Sequence, residues 1–201
     1  MKTKALILLC LCSCAATADL SSELYQRLNR EDRAAIYERE NEVTIAQSRR
    51  DEAKIFQART KQRVKELDEQ WDRCKERLEK QNQAGRIDGA KKLLETHEAF
   101  LDEQLKIAAA HLEWRTLEID TAKARLELQK QRQLVKSGHA RETTLESFEQ
   151  RVREAEREAR EGEKKELDLR AESQKKFLEW KAAENEYAKA SGDWDSLVWV
   201  D

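Results

Sequence analysis

Residues 105–126 read LKIAAAHLEWRTLEIDTAKARL, and their spacing decides the fold. Leu105, Leu112, Ile119 and Leu126 recur at every seventh position, and a companion row holds Leu94, Leu101, Ala108, Arg115, Ala122 and Gln129. Apolar side chains spaced alternately by three and four residues share one face of a helix. Sustained over four heptads, the stripe predicts a coiled-coil seam with a left-handed supercoil.

The surrounding composition permits long helices. The 201 residues contain no proline, the residue that removes a backbone donor and clashes with the preceding turn. Charged residues make up 40% of the chain, which alone would equally suit disorder, but a disordered charged chain lacks regularly spaced apolar residues. The 39 basic and 41 acidic side chains are finely interspersed and give a net charge of −2. That balance suits solvated helix faces with i,i+4 ion pairs and argues against nucleic acid, which favours a basic stripe.

Outward from the central stripe, a first segment spans about 21–83. One row there holds Ile36, Val43, Arg50, Gln57, Val64, Trp71 and Leu78; the other holds Arg39, Ala46, Ala53, Thr60, Leu67 and Cys74. Cys74 falls on the seam, as an inert buried thiol would. The glycines of Ala84-Gly85-Arg86-Ile87-Asp88-Gly89 predict a turn, with Asp88 as N-cap of a second segment, about 90–136. Ser137-Gly138 predicts the next turn. A third segment, about 140–189, has rows Leu145, Val152, Ala159, Glu166, Ser173, Trp180, Tyr187 and Phe148, Ala155, Gly162, Leu169, Lys176, Ala183, Ala190. Ala155, Ala159 and Gly162 would let a neighbouring helix approach closely, and Gly162 is also a candidate bend. Short connections place consecutive helices antiparallel. The expected fold is all-α: long antiparallel coiled-coil hairpins built from three helical segments.

The two ends differ in character. Residues 1–18, MKTKALILLCLCSCAATA, combine Lys2 and Lys4, a short apolar run and a small-x-small site at Ala16-Thr17-Ala18, as in a signal peptide. The run is too short to span a bilayer, which takes roughly 20 residues. Leu11-Cys12-Ser13-Cys14 also resembles a bacterial lipobox, so two outcomes follow. Cleavage after Ala18 leaves a soluble periplasmic chain; cleavage before Cys14 leaves a lipoprotein, anchored to the outer membrane only through that cysteine. At the other end, 191–201 read SGDWDSLVWVD, with Trp194 and Trp199 off the heptad pattern, either as a cap on the bundle or as a docking peptide.

Sites for chemistry are not expected. His97, His111 and His139 have neither HExxH spacing nor a CxxC partner, and there is no P-loop, GxGxxG or GxSxG, so no enzyme, metal or cofactor is predicted. His97 and His111, two heptads apart, point the same way.

Residues 126–156, LELQKQRQLVKSGHARETTLESFEQRVREAE, look like a helical-hairpin tip. Leu134, Val135, Ser137, Gly138, Leu145 and Glu146 resemble the α-hairpin of periplasmic adaptor (membrane fusion) proteins, and more loosely the hairpins of outer-membrane efflux channels. The resemblance implies a partner-contacting tip at Lys130, Leu134, Ser137, Gly138 and Arg141. Of the three adaptor positions that engage the channel, Leu134 matches, while Lys130 and Arg141 depart; Arg141 stands where adaptors have a helix-capping serine. A faint echo pairs 78–98 with 128–149, each with a glycine between a Gln-rich stretch and Leu-Glu, through shared ancestry or helical low complexity. Protein partners, including a second copy of the chain, are therefore expected. The leading expectation is a structural or interaction protein of the bacterial cell envelope, followed by an accessory docking on an efflux or secretion channel, and then by a periplasmic holdase chaperone.

Overall fold

A computed structural model describes residues 20–80 and 84–191. The described residues are all-α: α1 (Ser22–Arg27), α2 (Arg30–Lys80), α3 (Ala84–Lys136) and α4 (Leu145–Ser191), with one 3-10 turn at Glu142–Thr144 and no strand among them. At 1.5 Å per residue, the three long helices measure about 77, 80 and 70 Å.

Local chemistry explains where each helix starts and stops. The first segment is not one helix. Leu28 adopts an extended conformation and Asn29 restarts the chain, its Oδ1 accepting the Asp32 amide at 2.8 Å as an N-cap. The expected turn at 84–89 is not a turn either. These residues form the first turns of α3, so Asp88 lies inside the helix and caps nothing; the connection from α2 runs through 81–83, outside the described residues. A glycine costs a helix only about 1 kcal/mol, which packing easily offsets. Gly89 is needed for closeness: a Cβ there would lie 3.1 Å from Tyr187 Cδ2 of α4.

The second turn falls at Ser137-Gly138. Gly138 has φ +75°, the His139 amide donates to Leu134 O at 2.8 Å, and the Gly138 amide donates to Val135 O at 3.0 Å. Those two bonds make a Schellman motif, which satisfies the last carbonyls of α3. Helix α4 starts at Leu145 rather than near 140, because Thr144 donates both its amide and its hydroxyl to Arg141 O and holds 142–144 in a tighter 3-10 turn. Helix α4 then continues unbroken through Gly162. A Cβ at 162 would lie 3.0 Å from Leu117 Cδ1 and 3.4 Å from Trp114 Cα, so close approach accounts for this glycine.

Helix α3 is the middle element, packed on α2 along one side and on α4 along the other. Toward α2, Asp32 meets Gln133 and Lys136, Ala46 meets Ala122, and Leu67 joins the cluster of Leu93 and Leu94, so the two helices run in opposite directions. Toward α4, Lys92 meets Glu186, Glu113 meets Lys165 and Arg125 meets Glu156, again in opposite directions. Among the described side chains of α2, Ile36, Ala46, Ala53, Thr60 and Leu67 are buried, with Val43, Arg50, Gln57, Val64 and Trp71 half-buried between them. In α4 Phe148, Glu166, Ser173, Trp180, Ala183 and Tyr187 are buried on the same spacing. The largest apolar cluster lies at the end of the bundle holding Leu67, Ala90, Leu93, Leu94, Trp180, Ala183 and Tyr187. A smaller one, Leu128 with Phe148, lies beside the 137–141 turn.

Candidate functional site: the grooves over the central helix

Helix α3 carries a second stripe in addition to the one facing α2. Leu93, Phe100, Ile107, Trp114 and Leu128 keep heptad spacing, and beside them run His97, Gln104, His111, Arg125 and Arg132. This polar row meets α4 rung by rung. His97 stacks on Trp180, with ring centroids 4.1 Å apart and planes 3° from parallel. Gln104 Nε2 donates to Ser173 Oγ at 2.6 Å, and His111 Nδ1 lies 3.1 Å from Glu166 Oε1. Further along, Arg125 bonds Glu156 at 2.7 Å and Arg132 lies 3.4 Å from Glu149.

Glu166 is the most deeply buried acid of the ladder, 2% exposed. A buried carboxylate is costly unless paired and hydrogen-bonded. Glu166 is both: besides His111, it accepts from Arg170 Nη2 at 2.6 Å and from Nε at 2.9 Å. His97 is in the opposite situation. It is 7% exposed, and burial, with the nearby Lys181 ammonium, pushes its pKa down to about 4, so the ring is neutral at pH 7. Helical spacing put both histidines on one face; the structure puts that face against α4.

Because α2 and α4 flank α3, grooves open between them with α3 as the floor. One, of about 560 Å³, is lined by Ile45, Arg49, Trp114, Arg125, Glu156 and Arg160 among others. The second, of about 500 Å³, lies toward the other end, between Leu67, His97, Phe100, Phe177, Trp180 and Lys181. Lys181 Nζ sits 4.2 Å above the Trp180 ring, a cation–π contact. Among the described residues no group of three or more His, Cys, Asp or Glu is set to hold a metal ion, and no helix is long and apolar enough to cross a membrane.

The residues singled out from sequence are only partly brought together. Cys14, Trp194 and Trp199 lie outside the described residues. Ser137, Gly138 and Arg141 form an exposed turn, where Ser137 Oγ donates to Gln133 O at 2.8 Å. Leu134 does not join them. It packs half-buried against the Leu128–Phe148 cluster with Leu145 and Val152, holding the turn together from inside. Lys130 lies further back on α3, 3.9 Å from Glu127. The glycines of the echo at 78–98, Gly85 and Gly89, lie within α3, whereas Gly138 sits in the turn. An added feature of this end is Asp32, whose pKa is lowered by its hydrogen bond from Lys136 and which ties the start of α2 to the end of α3.

Sequence reasoning missed the second stripe of α3 and the grooves it floors. The signal was present in Leu93, Phe100, Ile107 and Trp114, spaced by seven. No protein-family model, no curated protein sequence and no solved structure matches this chain.

Proposed function

We propose that this chain is a non-enzymatic, exported interaction protein of the bacterial cell envelope, built from antiparallel coiled-coil hairpins that hold long helical surfaces toward protein partners. The observation that carries this reading is apolar surface left uncovered on a long, charged frame. Tyr37, Ile45, Ile55 and Phe56 on α2, and Leu167 and Leu178 on α4, are 40–61% exposed. Large apolar side chains in water along an otherwise charged helix are what a helical partner covers. The coiled-coil geometry draws support from the three-and-four alternation of buried positions along α2 and α4, and the export from the features of 1–18.

Small-angle scattering, light scattering and circular dichroism test the frame. A highly helical particle with a radius of gyration well above the roughly 16 Å of a compact domain this size is expected; a compact particle or low helicity sinks the reading. Mass spectrometry of the mature N-terminus tests the address, separating cleavage after Ala18 from lipidation at Cys14. An uncleaved chain in the cytoplasm removes the envelope from the proposal. Docking on an outer-membrane channel draws less support, because Leu134, the matching contact residue, is engaged with Leu128 and Phe148.

A further inference from the structure

The groove of about 500 Å³ between α2, α3 and α4 has a mixed lining of aromatic, aliphatic and charged side chains. Leu67, Phe100, Phe177 and Trp180 line it with the charged Arg63, Glu66 and Lys181, the last paired with Glu184 at 2.7 Å. Two of its lining side chains are more than nine-tenths buried yet unsatisfied: His97 Nδ1 and Trp180 Nε1 have no hydrogen-bond partner.

The chain carries a segment of that chemistry within reach. Helix α4 ends at Ser191, eleven residues beyond Trp180, or about 16 Å along the axis. The ten residues 192–201 span up to about 33 Å when extended, enough to return past Trp180. They comprise Trp194, Leu197, Val198, Trp199 and Val200 together with Asp193, Asp195 and Asp201, and no basic residue. Apolar side chains match Phe100, Phe177 and Trp180, while the acids match a lining in which Arg63 and Lys181 outnumber Glu66.

We propose that residues 192–201 fold back antiparallel to α4 and occupy this groove. Leu197 and Trp199 lie against Phe177 and Trp180, and Asp195 lies beside Arg63 and Lys181. Attachment to α4 holds the segment at high local concentration, so modest contacts suffice. A partner entering here must first displace the chain's own tail.

The test compares the full chain with a chain ending at Ser191, by amide exchange and by the Trp180 indole N–H resonance, assigned through Trp180→Phe. In the full chain, tail amides exchange at least tenfold more slowly than in the free 192–201 peptide, and truncation shifts the Trp180 resonance. Zero-length carbodiimide coupling joins Lys181 to Asp195 within one molecule. Tail amides exchanging as fast as the free peptide overturn the proposal, as does an unshifted Trp180 resonance. Lys181–Asp195 links found only between molecules, in a mixture of isotopically distinct chains, overturn it in favour of a second copy. Exchange is read on the unaltered chain, so a variant that misfolds leaves the test intact.

Discussion

His97 makes the stability of this protein depend on pH. In the unfolded chain the imidazole ionises near its ordinary value of 6.5; in the folded protein, burial against Trp180 pushes that down to about 4. Between those values the unfolded chain binds the proton and the folded one does not, so stability falls as pH drops from 6.5 toward 4, and below that His97 adds no further change. Each pH unit corresponds to 1.36 kcal/mol, which sets a ceiling of about 3 kcal/mol. Residual solvent screening around the ring reduces the expected loss to about 2 kcal/mol. The comparison is His97→Phe, which keeps an aromatic ring on Trp180 but carries no proton. Urea unfolding of both proteins at pH 7.5, 6, 5 and 4 reads the difference directly, because carboxylates and His111 are common to both. The original chain is expected to lose about 2 kcal/mol more than the variant over this range. Parallel stability curves would refute the argument, as would a His97 ring that titrates above pH 6 by NMR.

Substitutions at three further positions separate packing from backbone effects. Gly162→Val drives a branched side chain into Leu117 and the Trp114 backbone, and is expected to cost about 2–3 kcal/mol in urea unfolding; a stabilised protein would mean the helices do not approach there. Gly138→Ala meets no atom within 4 Å, so only its positive φ is strained and the expected loss is about 1 kcal/mol, with Gly138→Asn costing less. Asn29→Ala removes the cap of α2 and is expected to cost about 1 kcal/mol, with faster amide exchange confined to the first turn of α2; faster exchange reaching the middle of α2 would contradict a local cap.

Helices that bury one face are readable from sequence, and α2 and α4 illustrate why. Their stripes, Ala46–Ala53–Thr60–Leu67 in one and Glu166–Ser173–Trp180–Tyr187 in the other, are local patterns, and polar members keep their place because the helix period puts them there. Helix α3 hides half its role, since a helix covered on two sides carries two stripes and neither dominates. The misread turn at 84–89 has another cause. The reason for Gly89 is Tyr187, at the far end of the next long helix, and no local rule connects them. Leu134 is similar: its resemblance marked it as a contact residue, while its neighbours Leu128 and Phe148 show it serving the interior of the turn. The grooves were invisible because they belong to three helices at once.

The ladder between α3 and α4 also works as a key. Alanine, leucine and tyrosine positions repeating every seven residues would tolerate α4 sliding by one heptad, because a periodic apolar seam looks much the same after each step. The rungs do not repeat. A slide that sets His111 against Ser173 and Gln104 against Trp180 also sets the buried Glu166 against Glu118, two carboxylates facing each other away from water. Excising seven residues from α4 between Gly162 and Trp180 should therefore leave the helix continuous and its stripe in phase, yet weaken its grip on α3, because its teeth no longer match the lock.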